Sequence, residues 1–262
     1  KITIIAAVGF LTIIYFADTL FNAFLITKSL NKPQEIKFKK SEIEEVNENS
    51  LPLYTILCPL YQEAAVLPQF IEAIENLNYP KDKLEVLLLL EKDDKSTQKA
   101  ASALDLPQYI KTIVVPASLP KTKPKAINYG LNLATGEYLV IFDAEDRPEP
   151  DQLKYAYLAF EKYGNKIACF QAKLNYYNAN HNLLTKFFTA EYSLWFDLIL
   201  TGLQSLGTTI PLGGTSNHFK VATLKKLQGW DPFNVTEDCD LGIRLFKQGY
   251  QTAIIDSYAL EE

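Results

Sequence analysis

Methionine is absent from the 262 residues, and histidine and cysteine are scarce, at two and three. With no methionine and Lys1 first, the sequence is expected to be a piece of a longer protein. Cys58, Cys169 and Cys239 are far apart and odd in number, inside element patterns. Buried, reduced thiols are therefore expected rather than a disulfide framework or a zinc site. His181 and His218 lie too far from each other and from any cysteine for metal-ligand spacing. His218, after a glycine-rich stretch, reads as structural or as a substrate contact. Positive charge is in deficit too. The formal net charge of −5 argues against a nucleic-acid partner, which calls for a basic stripe. Glycine is missing from residues 59–66, after the first strand pattern. A nucleotidyltransferase would want a glycine-rich phosphate loop there. No internal repeat or low-complexity tract is present.

What is plentiful is apolar sequence, 48% of the chain. Residues 2–27 form a long apolar run, interrupted in its interior by Thr12, Asp18, Thr19 and Asn22. The run exceeds the roughly 20 residues that span a bilayer and is too long for an ordinary signal sequence. A transmembrane helix is expected over 1–28. Asp18 and Asn22 share one helical face, where polar groups in a span turn toward other protein. Lys28, Lys32, Lys37, Lys39 and Lys40 follow, placing the remainder on the cytoplasmic side of the cell membrane. Residues 29–50, charged and poor in large apolar side chains, read as a linker with a short surface helix near 41–45.

From residue 51 to 262 one domain is expected. Strand patterns at 54–58, 84–90, 110–115, 137–142, 167–176 and 251–256 alternate with helical patterns at 65–76, 125–134, 148–163 and 237–247. The alternation predicts an α/β fold with a mixed, mostly parallel sheet flanked by helices. Residues 182–206, apolar and aromatic, read either as a core helix or as one at a bilayer interface.

Ligands of open α/β sheets bind beyond the carboxyl ends of the strands. Three strands run there into acidic stretches. The first leads through Pro59 to Glu63, the second into Glu91 and Asp93, and the third into Asp143, Ala144, Glu145 and Asp146. Any one of these is equally a solvated loop. Three on one edge would repel one another, and a divalent cation with hard oxygen ligands, Mg²⁺ or Mn²⁺, would relieve the repulsion. Lys121, Lys123 and Lys125 gather at a loop-to-helix junction, a favourable place for phosphate and equally an ordinary cationic loop. Thr236 is placed to cap the helix starting at Glu237. Asp238 is then either part of a favourable first turn or a base that takes a proton from a hydroxyl. The dipole would lower its pKa, and desolvation by substrate would raise it. Asn234, Val235 and Thr236 also match a glycosylation acceptor, discounted for a cytoplasmic domain.

Taken in order over 53–262, these residues resemble the family 2 glycosyltransferases of the GT-A fold, membrane-bound polysaccharide synthases and ceramide glucosyltransferases among them. The resemblance implies nucleoside contacts from Pro59, Glu63, Glu91 and Asp93, and a diphosphate contact from Lys125. It implies a DxD-type metal site at Asp143 and Glu145, with Asp146 as the alternative second ligand. Gly214, with Gly213 and Thr215, would lie under the sugar and acceptor. Glu237 and Asp238 match the family's TED motif, with Asp238 as the base. The implied donor is a nucleotide sugar, UDP-linked, and the implied acceptor a glycan or lipid hydroxyl at the membrane. The family's Q/RxxRW motif is not reached before residue 262. A membrane-tethered binding module with a degenerate site is the rival outside enzymes.

Overall fold

The computed structural model describes residues 2–31, 34–164 and 166–261. Lys1, Lys32 and Glu262, used in the expectations above, lie outside the described residues. In chain order the elements are α1 (Ile2–Asn31), α2 (Lys40–Glu44), β1 (Tyr54–Leu60), α3 (Leu67–Glu75), β2 (Leu84–Glu91) and α4 (Lys95–Ala103). They continue with β3 (Ile110–Val115), α5 (Lys123–Leu133), β4 (Tyr138–Ile141), β5 (Arg147–Pro148), α6 (Gln152–Tyr163) and β6 (Ile167–Tyr176). Then come α7 (Leu183–Ser193), a π-helical turn (Leu194–Ile199), α8 (Leu200–Ser205), β7 (Asn217–Lys220), α9 (Val221–Lys226), α10 (Glu237–Lys247) and β8 (Gln251–Glu261).

The strands form one sheet in the order β3-β2-β1-β4-β7-β6-β8-β5. Four pairings are parallel and three antiparallel. Both faces are covered, which is why β1 and β2 read as unbroken apolar runs. On β2, Val86, Leu88 and Leu90 belong to the core on one face of the sheet, which α3 and α6 help to cover, whereas Leu87 and Leu89 belong to the core on the other face, beneath α5. The short strand β7 was not expected. It runs antiparallel between β4 and β6 and carries the preceding loop back to the rim where β1, β2 and β4 end. Behind that rim His218 is fully buried, its Nε2 donating to Gln152 Oε1 at 3.2 Å and its Nδ1 accepting from Tyr54 Oη at 2.7 Å. Burial pushes its pKa down to about 3, so it is a neutral structural group.

The α1 helix is long and apolar enough to cross a membrane by length and composition, and its apolar window is not buried. Only its last turns pack on the domain, through Leu25 and Ser29. Residues 34–50 depart from the expected free linker. Ile36 donates to Ile254 O at 2.9 Å and accepts from Asp256 N at 3.0 Å, extending the sheet along β8. Ile36 and Ile43 are buried in the core, and Phe38 packs against it. Apolar residues spaced too widely to make a periodic signal here each find a separate seat.

Ile43→Ala is expected to lower stability by about 2 kcal/mol, the low end for a buried isoleucine truncation. Urea unfolding at constant m-value checks this; a tethering linker would give no change.

Candidate active site

The parallel register decides which carboxylates meet. Leu60 lies opposite Leu90 and Leu57 opposite Ile141. Glu63, Glu91 and Asp143 therefore leave their strands at one rim. They line a single cavity of about 420 Å³ together with Pro59, Tyr61, Lys123 and Glu145. The turn after β1 needs no glycine because Asp94 holds it. Asp94 accepts from Gln62 N at 2.6 Å, where Gln62 sits at φ +61°, and from Thr97 N at 3.1 Å as the cap of α4. Burial of Asp94 opposes its charge, yet donors from Thr97, Gln62 and Ser96 keep its pKa well below the usual range.

Asp143 is held from below. Its N–H donates to Asp146 Oδ2 at 2.7 Å, and Thr215 Oγ1 also donates to that oxygen. Asp146 is buried, and burial followed by the charge of Asp143 pushes its pKa up. Asp146 thus braces the loop from inside, and Glu145 is the neighbour of Asp143 that lines the cavity. From above, Lys123 Nζ reaches the Asp143 oxygens at 2.6 and 2.8 Å and donates to Gly214 O at 2.6 Å. Burial would lower the Lys123 pKa, but Asp143, with Asp238 and Asp146 behind it, holds it above the ordinary value. Gln171 grips the Gly213–Thr215 stretch, accepting from Gly213 N at 2.8 Å and donating to Thr215 O at 2.9 Å.

Asp238 comes to the same place from α10. A Cβ built on Gly214 would stand 3.6 Å from Lys123 Nζ and 3.8 Å from Asp238 Oδ2. Asp238 is 6% exposed, and its Oδ1 accepts from Trp230 Nε1 at 2.9 Å. Trp230 is fixed in turn by Asn128, which accepts from Trp230 N at 2.9 Å and donates to Trp230 O at 2.6 Å. Gly229 at φ +68° is required there, because a Cβ would collide with Asn128 Oδ1. Burial pushes Asp238 up to about 7, opposed by Lys123 and the Trp230 bond and aided by Glu237 and Asp143. Desolvation is therefore built into the fold rather than supplied by substrate.

Four expectations change. Lys125 turns from the cavity into a buried ion pair with Glu91 at 2.7 Å, and Lys123, two residues earlier and on a different side of the first turn of α5, takes the place beside Asp143. Asp93 does not line the cavity; it accepts from Lys121 at 2.7 Å, whose ammonium stands 3.6 Å from the Tyr61 ring centre. Thr236 is the N-cap residue of α10 but makes no side-chain cap bond, and its hydroxyl instead donates to Asn234 Oδ1 at 3.1 Å. Glu237 lies in the first turn of α10 and lines neither of the two cavities at the rim. Trp230 and Asn128 are the positioning residues that the motifs did not single out, and Lys123 was named only together with Lys121 and Lys125. The tryptophan between Gly229 and Glu237 was the one signal.

Among the described residues no group of three or more His, Cys, Asp or Glu is arranged to hold an ion. Asp143 and Glu145 still offer hard oxygens to one cavity, and a cationic ammonium already occupies Asp143. This donor set suits Mg²⁺ or Mn²⁺ held by one or two carboxylates, with substrate phosphates and water completing the shell.

Residues 52–261 match the family model described as Glycosyltransferase like family 2. The probable glycosyltransferase YdaM of Bacillus subtilis is 28% identical over 209 residues, 78% of this chain and 49% of that protein. The beta-monoglucosyldiacylglycerol synthase of Nostoc sp. is 32% identical over 204 residues, 76% of this chain and 42% of that protein. The chain thus spans about half the length, or less, of these curated relatives. Among solved structures, the mannosyltransferase PcManGT from Pyrobaculum calidifontis, in complex with GDP-Man and Mn²⁺, superposes with a TM-score of 0.71. That match covers 96% of this chain and 66% of the other at 21% identity, a likeness of fold.

Burial leads the causes that hold Glu63 and Glu261, like Asp238, up at about 7. Each keeps in the fold a proton that the unfolded chain loses near its ordinary value, so stability should fall as pH rises from about 4.5 to 7. Denaturation midpoints at pH 5, 6, 7 and 8 test the sign, and Glu63→Gln should flatten the slope.

Proposed function

The chain belongs to the family 2-like glycosyltransferases, and we propose that it is the donor-binding and catalytic part of an inverting, membrane-anchored enzyme. It moves a sugar from a nucleoside-diphosphate donor, UDP-linked, to the hydroxyl of a lipid or polysaccharide. The observation that carries this reading is the convergence of Lys123, Asp143 and Asp238 around Gly214. A buried carboxylate with a pKa near 7 is matched to proton abstraction at neutral pH.

In this reading the nucleotide lies in the cavity between Tyr61 and Asp143. A bound Mg²⁺ or Mn²⁺ at Asp143 and Glu145 supplies charge neutralisation for the diphosphate. Lys123 adds an ammonium on the same side, and its bond to Gly214 O keeps it there. Asp238 takes the acceptor proton as the acceptor oxygen bonds to the anomeric carbon. The bond from that carbon to the diphosphate breaks, and its electron pair leaves with the diphosphate. Opposite-side attack inverts the centre. Trp230 aims the base and lowers its pKa; Asp146 and Thr215 hold the loop that carries Asp143.

The membrane reading is supported by α1, with its exposed apolar length, and by the lysines that follow it, which favour a cytoplasmic catalytic domain. This reading divides the chain into a membrane helix, a connection and a catalytic domain, with residues 34–50 of the connection packed on the domain.

In the full-length enzyme, Asp238→Asn should lower transfer by about 10²–10⁴-fold while nucleotide affinity is kept. Near-normal turnover would remove Asp238 from the base role. Trp230→Phe deletes a donor to the carboxylate, so the rising limb of the pH–rate profile should move up by roughly half to one pH unit. Nucleotide titration with and without excess chelator tests the metal. Binding that ignores the chelator would rule out Asp143 and Glu145 as ligands.

A further inference from the structure

Asp143 is a wall shared by two cavities. The second, of about 590 Å³, shares Asp143 with the donor cavity and is lined beside it by Gly213, Gly214 and Thr215. Its other walls are Tyr192, Trp195 and Phe196 from α7 and the π turn, with Asn22 and Ile26 from α1. The helix that would anchor the protein is thus also part of a binding site.

We propose that this second cavity takes the acceptor, and that the acceptor is a neutral lipid with a free hydroxyl, its chain lying along α1 and its hydroxyl at Asp143 and Gly214. The proposal rests on the glycosyl-transfer reading above.

Three features carry it. The cavity leads from the carboxylate rim to apolar surface. The helices that wall it also expose Phe21, Leu184, Phe187, Phe188 and Leu194, the surface an acyl chain would follow and a free glycan would not need. Charge chooses the headgroup: among the described residues no lysine or arginine lines the cavity, Lys123 beside it is taken up by Asp143 and the Gly214 carbonyl, and Glu191 adds a further carboxylate, so a phosphate headgroup finds no cation of its own there.

The wall is also built, not merely adjacent. A Cβ on Gly202 would lie 2.5 Å from Leu25 O, so α1 and α8 touch backbone to backbone. Ser29 Oγ donates to Asp197 O at 3.1 Å and shares a 2.6 Å hydroxyl bond with Thr201. The widened π turn sends Phe196 into the cavity and lets Asp197 reach the opposite side. There Lys173, 3% exposed, pairs with Asp197 at 3.0 Å, Asp256 at 2.8 Å and Glu35. These bonds hold the end of α1, the turn and β8 as one unit.

The full-length enzyme, with a nucleotide sugar it turns over, is offered dioleoylglycerol in mixed micelles or a free oligosaccharide. Trp195→Ala removes an aromatic wall at a partly exposed site, and Ile26→Trp fills the cavity from α1. Lipid transfer is expected in the wild type, with the lipid KM raised about tenfold in each variant and nucleotide affinity retained. Transfer to the oligosaccharide with none to the lipid, or an unchanged lipid KM in both variants, overturns the proposal. Absence of nucleotide binding in the wild type overturns the donor reading itself, and this proposal with it.

Discussion

The site depends on crowding negative charge at one rim without letting it fly apart. Lys123 is the counterweight: one ammonium bonded to both oxygens of Asp143 and to the Gly214 carbonyl. Around it the remaining carboxylates are handled in different ways. Asp94 is saturated with donors, Asp146 is buried and braced, Glu91 is paired with Lys125, and Glu63 and Glu261 hold their protons up to near neutrality. Removing charge by protonation is the alternative to pairing it, and this rim uses both.

That arrangement explains the sheet as well as the site. A purely parallel sheet would deliver only the loops after β1, β2 and β4 to the rim. The antiparallel insertion of β7 brings a loop that precedes a strand to the same edge. Gly214 and Thr215 then stand against Asp143 without any long connection. The fold keeps its variable chemistry at the ends of strands, where backbone groups are fixed and side chains are free to differ.

Much of this was legible in the sequence, and the losses have physical causes. The parallel strands announced themselves because burial on both faces demands unbroken apolar runs, as in residues 84–90. The acidic ends of those strands were visible for the same reason. β5 and β7 are two and four residues long, too short for any periodicity. Lys125 was favoured over Lys123 on motif position, but two residues turn a side chain by about 200° on a helix of 3.6 residues per turn. The helix faces decided between them. Thr236 had the right chemistry for a cap and spends it on Asn234. The run at 182–206 was read as either core or interface helix; at the π turn Phe196 and Ile199 are buried while Trp195 and Leu194 are partly exposed, so the core reading holds for only part of it.

One consequence follows from α5. Lys123 begins this eleven-residue helix, and Asn128 on the same helix clamps Trp230, which aims Asp238. The ammonium beside Asp143 and the support of the Asp238 carboxylate thus ride on a single stiff rod. Thermal jitter of that rod is common-mode: both ends move together, and the span between them is conserved. The spacing across the site is then set by the stiffness of one short helix rather than by the summed tolerances of several loops.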